Sequence, residues 1–149
     1  MSDDLQERLD KADINIAPLS KRVYAAVIDE LLIAMLFLFV IFDQLAGITD
    51  PDDIIVFVNS FTLEYMFIKI LYQSAFVMLY GATIGKIALK IKVIEQESFN
   101  TPRLSSALNR SIFRIISESV FWIGYIWAFY TKNRETWHDK TARTLVVDA

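Results

Sequence analysis

The sequence predicts an all-α membrane protein with two transmembrane helices, a third apolar helix or re-entrant helical hairpin, and a small cytoplasmic element. Hydrophobic residues make up 54% of the 149 residues and the mean hydropathy is +0.37, whereas soluble domains are usually about 45–50% apolar. Three runs contain no charged residue, at 31–42, 70–85 and 119–131. Residues 31–42 are apolar on every side of a helix, unlike a solvent-facing amphipathic helix.

The composition excludes several other classes of protein. A chain with 13% aromatic residues is too apolar to remain disordered, and a chain without cysteine has no disulfide framework. The N-terminal segment, residues 1–20, is acidic and offers no basic arm to phosphates, so no nucleic-acid partner is expected. The remaining residues, 21–149, are expected to form one membrane domain.

Each apolar run becomes long enough to cross a bilayer when it is extended toward its N-terminus. The first helix is expected at about residues 23–42, the second at about 61–82, and the third apolar region at 111–131. About 20 residues of helix cover roughly 30 Å, the thickness of the hydrocarbon layer. Each of these windows contains two ionisable residues: Asp29 and Glu30, Glu64 and Lys69, Arg114 and Glu118.

Two alternatives exist for the apolar runs. One is a soluble helical bundle with long buried helices, which the all-round apolar surface of residues 31–42 disfavours. The other is a signal peptide that begins at Lys21 and Arg22. The acidic residues that precede it and the Asp29–Glu30 pair inside it disfavour this interpretation.

The basic residues orient the helices, because Lys and Arg beside membrane helices stay on the cytoplasmic side. Residues 1–22 carry four and residues 43–60 carry none, which predicts a cytoplasmic N-terminus and an external loop at 43–60. The cytoplasmic connection, residues 84–110, carries five, and the C-terminal segment, residues 132–149, carries another four. A single crossing by residues 111–131 would place those last four outside, against the rule.

The third apolar region therefore has two interpretations, a full crossing or a re-entrant or interfacial hairpin. A hairpin would break near residues 117–119 or at Gly124 and would carry an interfacial belt of aromatic residues: Trp122, Tyr125, Trp127 and Tyr130. The hairpin is favoured because residues 87–94 and 144–147 both have strand patterns, and two strands pair only in one compartment. The C-terminus is accordingly predicted on the cytoplasmic side.

Three motifs occur in order along the chain, at the start of the first helix, at the end of the second and in the C-terminal segment. Their residues are Arg22 and Asp29, then Gly81, Thr83, Gly85 and Lys86, then Arg110, and finally His138, Asp139 and Thr144. This pattern resembles the RDD family of small bacterial integral membrane proteins.

The resemblance to the RDD family implies a multi-pass protein of the bacterial cytoplasmic (inner) membrane, and for most members it implies no known reaction. The one arginine and two aspartates that give the family its name correspond to Arg22, Asp29 and Asp139. The chain departs from the usual pattern at three turn positions: Ile84 replaces a frequent proline, and Lys90 and Arg143 replace frequent glycines.

Charged side chains inside a bilayer are costly unless they are paired or face water. One hypothesis is an intramembrane proton or cation path that has Asp29 as its titrating carboxylate, Glu30 or Glu64 as an auxiliary carboxylate, and Lys69 or Arg114 as counter-charge. Glu118 lies on the same helical face as Arg114. The alternative, which the sequence favours, is that these charges are structural bridges and that Arg22 anchors the helix to lipid headgroups.

The sequence predicts no catalytic residue, no metal site and no cofactor. His138 is the only histidine, and no cysteine or partnered serine motif supplies a nucleophile. Asp139 is expected to cap the turn before the last strand or to pair with Lys86 or Arg110. Residues 81–86 lack the spacing of a phosphate-binding loop and are expected to end the second helix.

Two classes of function follow from these residues, and an enzyme is not expected. The first is transport, either cation/proton exchange or small-solute transport, by an oligomer, because two or three helices cannot enclose a pathway alone. The second is a non-catalytic membrane adaptor or assembly subunit. The expected partners are the lipid bilayer and either further copies of this chain or a larger membrane complex.

Overall fold

The computed structural model describes residues 2–119, 130–131 and 135–149, and these are mostly helical with a small two-stranded sheet. The helices are α1 (Ser2–Lys11), α2 (Leu19–Leu45), α3 (Pro51–Ser60), α4 (Thr62–Tyr80), α5 (Ile84–Ala88), α6 (Leu104–Ser119) and α7 (Trp137–Ala142). The strands are β1 (Ile91–Glu95) and β2 (Thr144–Asp148).

The first apolar window lies within α2, a helix of 27 residues that is about 40 Å long. Pro18 precedes its first turn, where a proline costs no hydrogen bond. The buried residues of α2 follow a spacing of four or eight, at Ala25, Asp29, Ile33 and Ile41. The rest of the apolar surface of α2 is largely exposed, as expected for a helix in lipid.

The second apolar window, at about 61–82, corresponds to α4, and a further helix precedes it with a bend between the two. Residues 51–60, predicted as part of an external loop, form α3, because Asp50 accepts a hydrogen bond from the N–H of Asp52 at 2.9 Å and Pro51 occupies the first turn. α3 and α4 meet at Phe61 with a bend of 48°. Among the described residues, α2 alone is long and apolar enough to cross a membrane, and α3 with α4 would add a second span only as a broken one.

The small sheet joins parts of the chain that are far apart in sequence. β1 and β2 are antiparallel, with Ile91 opposite Asp148 and Glu95 opposite Thr144. The first strand begins at Ile91 rather than at 87, because residues 84–88 form α5 and the chain turns at Lys90, which has φ 54°. Ile16 bridges to β2 in front of α2.

Two apolar clusters bury the faces of this sheet. One packs β1 and β2 against the start of α2 and the start of α6, and its buried members are Ala17, Ala25, Val77, Ile91, Val93, Ala107 and Val146. The other packs α1 onto the sheet through Leu5, Leu9, Ile94, Leu145 and Val147. One end of α2 is therefore surrounded by three segments that pack together: the described residues of the N-terminal segment, the 84–110 connection and the C-terminal segment. We call these three segments the polar unit.

The third apolar region begins inside this polar unit, and the segments that flank it contact each other. α6 is helical through Ser119, and Arg110 near its start contacts Asp139 of α7. Residues 110 and 139 thus lie at the same end of the molecule. The predicted break at Gly124 and three residues of the aromatic belt, Trp122, Tyr125 and Trp127, lie outside the described residues.

Candidate functional site

Asp29 is fully buried on α2 and accepts hydrogen bonds from three donors. The hydroxyl of Thr83 donates to Oδ2 at 2.6 Å, and the N–H of Gly85 and the hydroxyl of Tyr72 donate to Oδ1, each at 2.8 Å. The ammonium of Lys86 lies 3.9 Å from Oδ2. These donors compensate for the loss of hydration that a buried carboxylate suffers.

Two glycines shape the turn that delivers these donors. Gly81 ends α4 with φ 68°, a left-handed conformation that glycine adopts without strain. Gly85 lies against α2 so closely that an added Cβ would collide with the carbonyl oxygen of Ala25 and would lie 2.9 Å from Oδ1 of Asp29. The absence of a side chain at Gly85 therefore lets its N–H reach the carboxylate.

Asp139 occupies a second buried cluster, at the start of α7. Thr136 and Asp139 form a capping box, in which the Thr136 N–H and hydroxyl donate to Oδ2 of Asp139 at 3.1 and 2.8 Å. The guanidinium of Arg110 donates to Oδ1 of Asp139 and, at 2.9 Å, to the hydroxyl of Thr144. Asp139 therefore caps the N-terminus of α7 together with Thr136, and its ion pair with Arg110 holds α6 against α7.

Arg22 joins the start of α2 to the same cluster. Its Nη1 lies 3.4 Å from Oδ2 of Asp139, and its Nη2 donates to the carbonyl of Val146 at 2.8 Å. Only 8% of the Arg22 side chain and 1% of the Asp139 side chain are exposed. Arg22 thus links α2 to both α7 and β2.

A third set of charges lies farther along the helices, between α2, α4 and α6. The ammonium of Lys69 lies 2.8 Å from Glu30 Oε2 and 2.6 Å from Glu118 Oε2. Nε of Arg114 donates to the other oxygen of Glu118 at 2.9 Å. The hydroxyl of Tyr65 donates a hydrogen bond to Oε1 of Glu30 at 2.9 Å. These contacts form one continuous chain of ion pairs from Glu30 to Arg114.

A cavity of about 50 Å³ lies where α2, α5, α6 and α7 meet. Apolar side chains of α2, including Leu19, Val23 and Ala26, form one wall. The charged groups of the other walls are Arg22, Lys86, Arg110, Arg114 and Asp139, with His138 beside them. Arg114 is therefore shared between the chain of ion pairs and the cavity.

The buried charges shift the pKa values of the groups around the cavity. Burial, together with the charges of Arg110 and Arg114, lowers the pKa of Lys86 to about 7. Burial lowers the pKa of His138 well below its ordinary value. Burial alone would raise the pKa of Asp139, but Arg110 and the other neighbouring cations hold it well below its usual range. Asp139 is thus ionised and His138 neutral at pH 7.

A family model described as the RDD family matches residues 16–143. The chain belongs to the RDD family. This confirms the resemblance drawn from the motifs, and together with the apolar α2 it indicates a membrane protein. No curated protein and no solved structure matches the chain.

The three residues assigned by motif to the RDD name, Arg22, Asp29 and Asp139, occupy two neighbouring clusters. Arg22 contacts Asp139, whereas Asp29 contacts the Thr83–Gly85 turn and lies near Lys86. Lys86 connects the clusters, because it lies beside Asp29 and also lines the cavity with Arg22.

Two other positions of the RDD pattern lie in turns. Lys90 and Arg143, two of the departures that the resemblance implies, have φ 54° and 50°, in the left-handed region that favours glycine. Both turns thus hold a residue other than glycine in a conformation that glycine adopts most easily.

The structure separates the six predicted path residues. Glu30, Lys69, Arg114 and Glu118 lie in one chain of ion pairs, and Asp29 lies in the turn cluster instead. Glu64 lies on the exposed side of α4.

Three polar residues of these clusters were not predicted from the sequence: Tyr65, Tyr72 and Thr136. The spacing Thr136-x-x-Asp139 is a capping signal and would have indicated the start of α7. Tyr65 and Tyr72 lie seven residues apart, on the face of α4 that also carries Lys69, so helical spacing would have grouped them with it.

Proposed function

We propose that this RDD protein is a multi-pass protein of the bacterial cytoplasmic membrane that exchanges cations for protons, or carries a small solute, as an oligomer. The observation that supports this proposal most directly is the chain of ion pairs from Glu30 through Lys69 and Glu118 to Arg114. Its two ends differ in environment. The side chain of Glu30 is 36% exposed, whereas Arg114 is 6% exposed and lines the cavity.

The position of this chain of ion pairs supports a transport function. Each charge at mid-depth in a bilayer costs at least about 2.5–3.5 kcal/mol on insertion scales, so intramembrane charges commonly mark ion or proton pathways. The ammonium of Lys69 lies between the carboxylates of Glu30 and Glu118. A proton or cation that neutralised one of these carboxylates would let the ammonium move toward the other carboxylate. Such a two-position cation is the kind of element that couples binding at two ends.

We assign Asp29 a positioning function rather than the titrating one. Its three donors come from α4, the turn and α5, and they fix α5 against α2. Its carboxylate thus orients Lys86 at the cavity, and the carboxylates proposed for the path are Glu30 and Glu118.

The proposed topology places the polar unit in the cytoplasm. Residues 1–22 and the 84–110 connection carry nine basic residues together, and residues 43–60 carry none. α2 then crosses outward and the bent pair of α3 and α4 returns. Residues 111–131 leave the polar unit and come back to it as a re-entrant hairpin, which agrees with the contact between Arg110 and Asp139.

An oligomer is proposed because α2 exposes most of its apolar side chains and two spans cannot surround a path. The large exposed residues of α2 include Leu31, Met35, Phe39 and Phe42. Further copies of the chain and lipid tails would cover this surface.

The test is cation-dependent dissipation of a pH gradient in proteoliposomes that contain the purified protein. Na⁺ and K⁺ are each added outside, and the internal pH is followed with a fluorescent dye. Glu118→Gln and Lys69→Met should lower the cation-dependent rate by about tenfold or more, as expected when an essential charge is lost. Glu64→Gln, on the exposed side of the same helix as Lys69, is the matched control and should leave the rate unchanged.

Two outcomes would contradict the transport proposal. The first is that liposomes with the wild-type protein move protons no faster than empty liposomes with either cation. The second is that Glu118→Gln transports as fast as Glu64→Gln. A solute carrier would show substrate-dependent rather than Na⁺- or K⁺-dependent proton movement in the same assay.

A second candidate, a non-catalytic adaptor of a larger membrane complex, is favoured by the exposed apolar face of α2. It predicts that a second protein co-purifies in fixed stoichiometry from native membranes and that the isolated chain gives no flux. Replacing Met35 and Phe39 on that face with alanine would then release the partner without changing the buried ion pairs.

A further inference from the structure

The cavity between α2, α5, α6 and α7 has a lining that is rich in positive charge. Four of its lining side chains are cationic, and Asp139 is the only carboxylate among the described lining residues. The four cations are Arg22, Lys86, Arg110 and Arg114, whose side chains are 8%, 7%, 4% and 6% exposed. Cations withdrawn from water this far need a negative partner.

The carboxylates nearby are shared among several cations. Asp139 receives both Arg22 and Arg110, and Glu118 receives both Arg114 and Lys69. Within the described part of the chain, these connected groups comprise four carboxylates, Asp29, Glu30, Glu118 and Asp139, and five cations, Arg22, Lys69, Lys86, Arg110 and Arg114. One positive charge is thus in excess when Lys86 is protonated, and the cations that face the cavity supply it.

The size of the cavity limits what it holds. A volume of about 50 Å³ admits on the order of four water-sized atoms. A tetrahedral oxyanion has four oxygens, and arginine forks and a lysine ammonium are the side chains that bind such oxygens best. The hydroxyl of Thr136 and the ring of His138 add polar groups to the same walls.

We propose that this cavity binds a small oxyanion of the phosphate type, as free phosphate or as the headgroup of an anionic phospholipid. The apolar wall formed by Leu19, Val23 and Ala26 lies at the start of the apolar helix α2, where phospholipid headgroups lie in a bilayer. The proposal stands on the cavity alone and does not depend on any ion flux.

Anion binding should be linked to protonation of Lys86. The pKa of Lys86 is lowered to about 7, first by burial and then by Arg110 and Arg114. A bound anion would raise it again, so binding near neutral pH should take up a fraction of a proton. The charged or titratable groups that face Lys86 are Asp29 and Arg22 from α2, Arg110 and Arg114 from α6, and His138 and Asp139 from α7.

The first experiment measures the binding of inorganic phosphate to the full chain by titration calorimetry in a phosphate-free neutral detergent. Chloride of equal ionic strength serves as the blank. We expect saturable binding that Lys86→Met weakens by about tenfold or more, because one charge-assisted contact is lost. Lys92→Met, an exposed lysine of β1, is the matched control and should bind like the wild type.

A second variant separates binding from folding. Ala26→Leu would fill the cavity from its apolar wall without changing any charge. We expect this variant to keep its melting temperature and lose phosphate binding. If Lys86→Met fails to fold, Ala26→Leu decides the question alone.

Two further measurements identify the source of the anion and its proton linkage. Vesicles of phosphatidylglycerol, but not of phosphatidylcholine, should compete with phosphate if the ligand is a headgroup, and neither should compete if it is free phosphate. Sulfate does not titrate near neutral pH, so calorimetry with sulfate in two buffers of different ionisation enthalpy reports protons taken up by the protein. That uptake should disappear in Lys86→Met.

The proposal is overturned by either of two results. The first is that the wild-type protein shows no saturable binding of phosphate, sulfate or phosphatidylglycerol. The second is that Lys86→Met and Ala26→Leu bind these anions as tightly as the wild type does.

Discussion

The N–H of Gly85 donates to Oδ1 of Asp29 at 2.8 Å, and this contact fastens the short helix α5 onto the long helix α2. Because Gly85 has no side chain, the backbone of α5 reaches the carboxylate directly. The same approach sets Lys86 within 3.9 Å of Asp29 and at the wall of the cavity.

Gly85→Ala should therefore destabilise the protein. Its Cβ would meet the carbonyl of Ala25 and the carboxylate of Asp29, and overpacking of this kind costs about 1–3 kcal/mol. Thermal melting in detergent measures the effect. Gly47→Ala is the control, since the nearest atom to its added Cβ is 3.8 Å away; equal melting temperatures for the two variants would show that α5 is not held tightly.

The two ion pairs made by aspartates near the C-terminus should differ in strength. Asp139→Asn leaves Arg110 and Arg22 buried without their counter-charge and should lower the free energy of unfolding by about 3–5 kcal/mol. Asp148→Asn breaks the exposed pair with Lys21 and should cost about 0–1 kcal/mol. Melting of both variants side by side tests this ranking, which a larger loss for Asp148→Asn would reverse.

Stability should depend on pH in two separate windows. His138 stays neutral in the folded state, while the unfolded chain takes up a proton as pH falls below the ordinary pKa of 6.5. The free energy of unfolding should thus decrease as pH falls through that range. Lys86 adds a second rise in stability from pH of about 7 toward its ordinary pKa of 10.5, because only the unfolded chain is protonated there.

Melting curves from pH 5.5 to pH 9, at intervals of about half a unit, resolve the two windows. His138→Gln should flatten the lower window and Lys86→Met the upper one. A variant that flattened the other window, or neither, would assign the titration to different groups.

Single cysteines should report that both termini lie on one side of the membrane. The chain has no cysteine, so Glu7→Cys, Ala149→Cys and Thr49→Cys each introduce one exposed thiol. The first two should react with an impermeant maleimide only from the cytoplasmic side, because β2 pairs with β1 and touches the segment before α2. Thr49→Cys should react from outside. Labelling of Ala149→Cys and Thr49→Cys from the same side would contradict this topology.

Much of the fold could be predicted, because its signals are local. The charge-free run at 31–42 lies within α2, and the strand patterns predicted at 87–94 and 144–147 overlap the paired strands β1 and β2. The bend at Phe61 was not predicted, since it depends on the cap at Asp50 and on the packing of α3 and α4. α5 was missed because five residues carry too little periodicity to indicate a helix.

The candidate site was predictable in its membership but less so in its pairing. The resemblance to the RDD family predicts Arg22, Asp29 and Asp139, and the sequence predicts Arg110 as one of two partners for Asp139. Spacing on a helix could not show that Asp29 belongs to the turn at Gly85 while Glu30, the next residue, belongs to the chain with Lys69. Adjacent residues on a helix point about 100° apart, so neighbours in sequence serve different clusters.

The sequence by itself indicated a membrane protein, its membership of the RDD family and the position of the long apolar helix. These could be predicted because apolar runs and motif spacing are properties of short stretches. Only the tertiary structure decided which cation meets which carboxylate. Arg22 and Asp139 are separated by 117 positions along the chain, and the small sheet brings them within 3.4 Å. A cavity with four cations in its walls exists because distant segments close around it, and no local pattern encodes that closure.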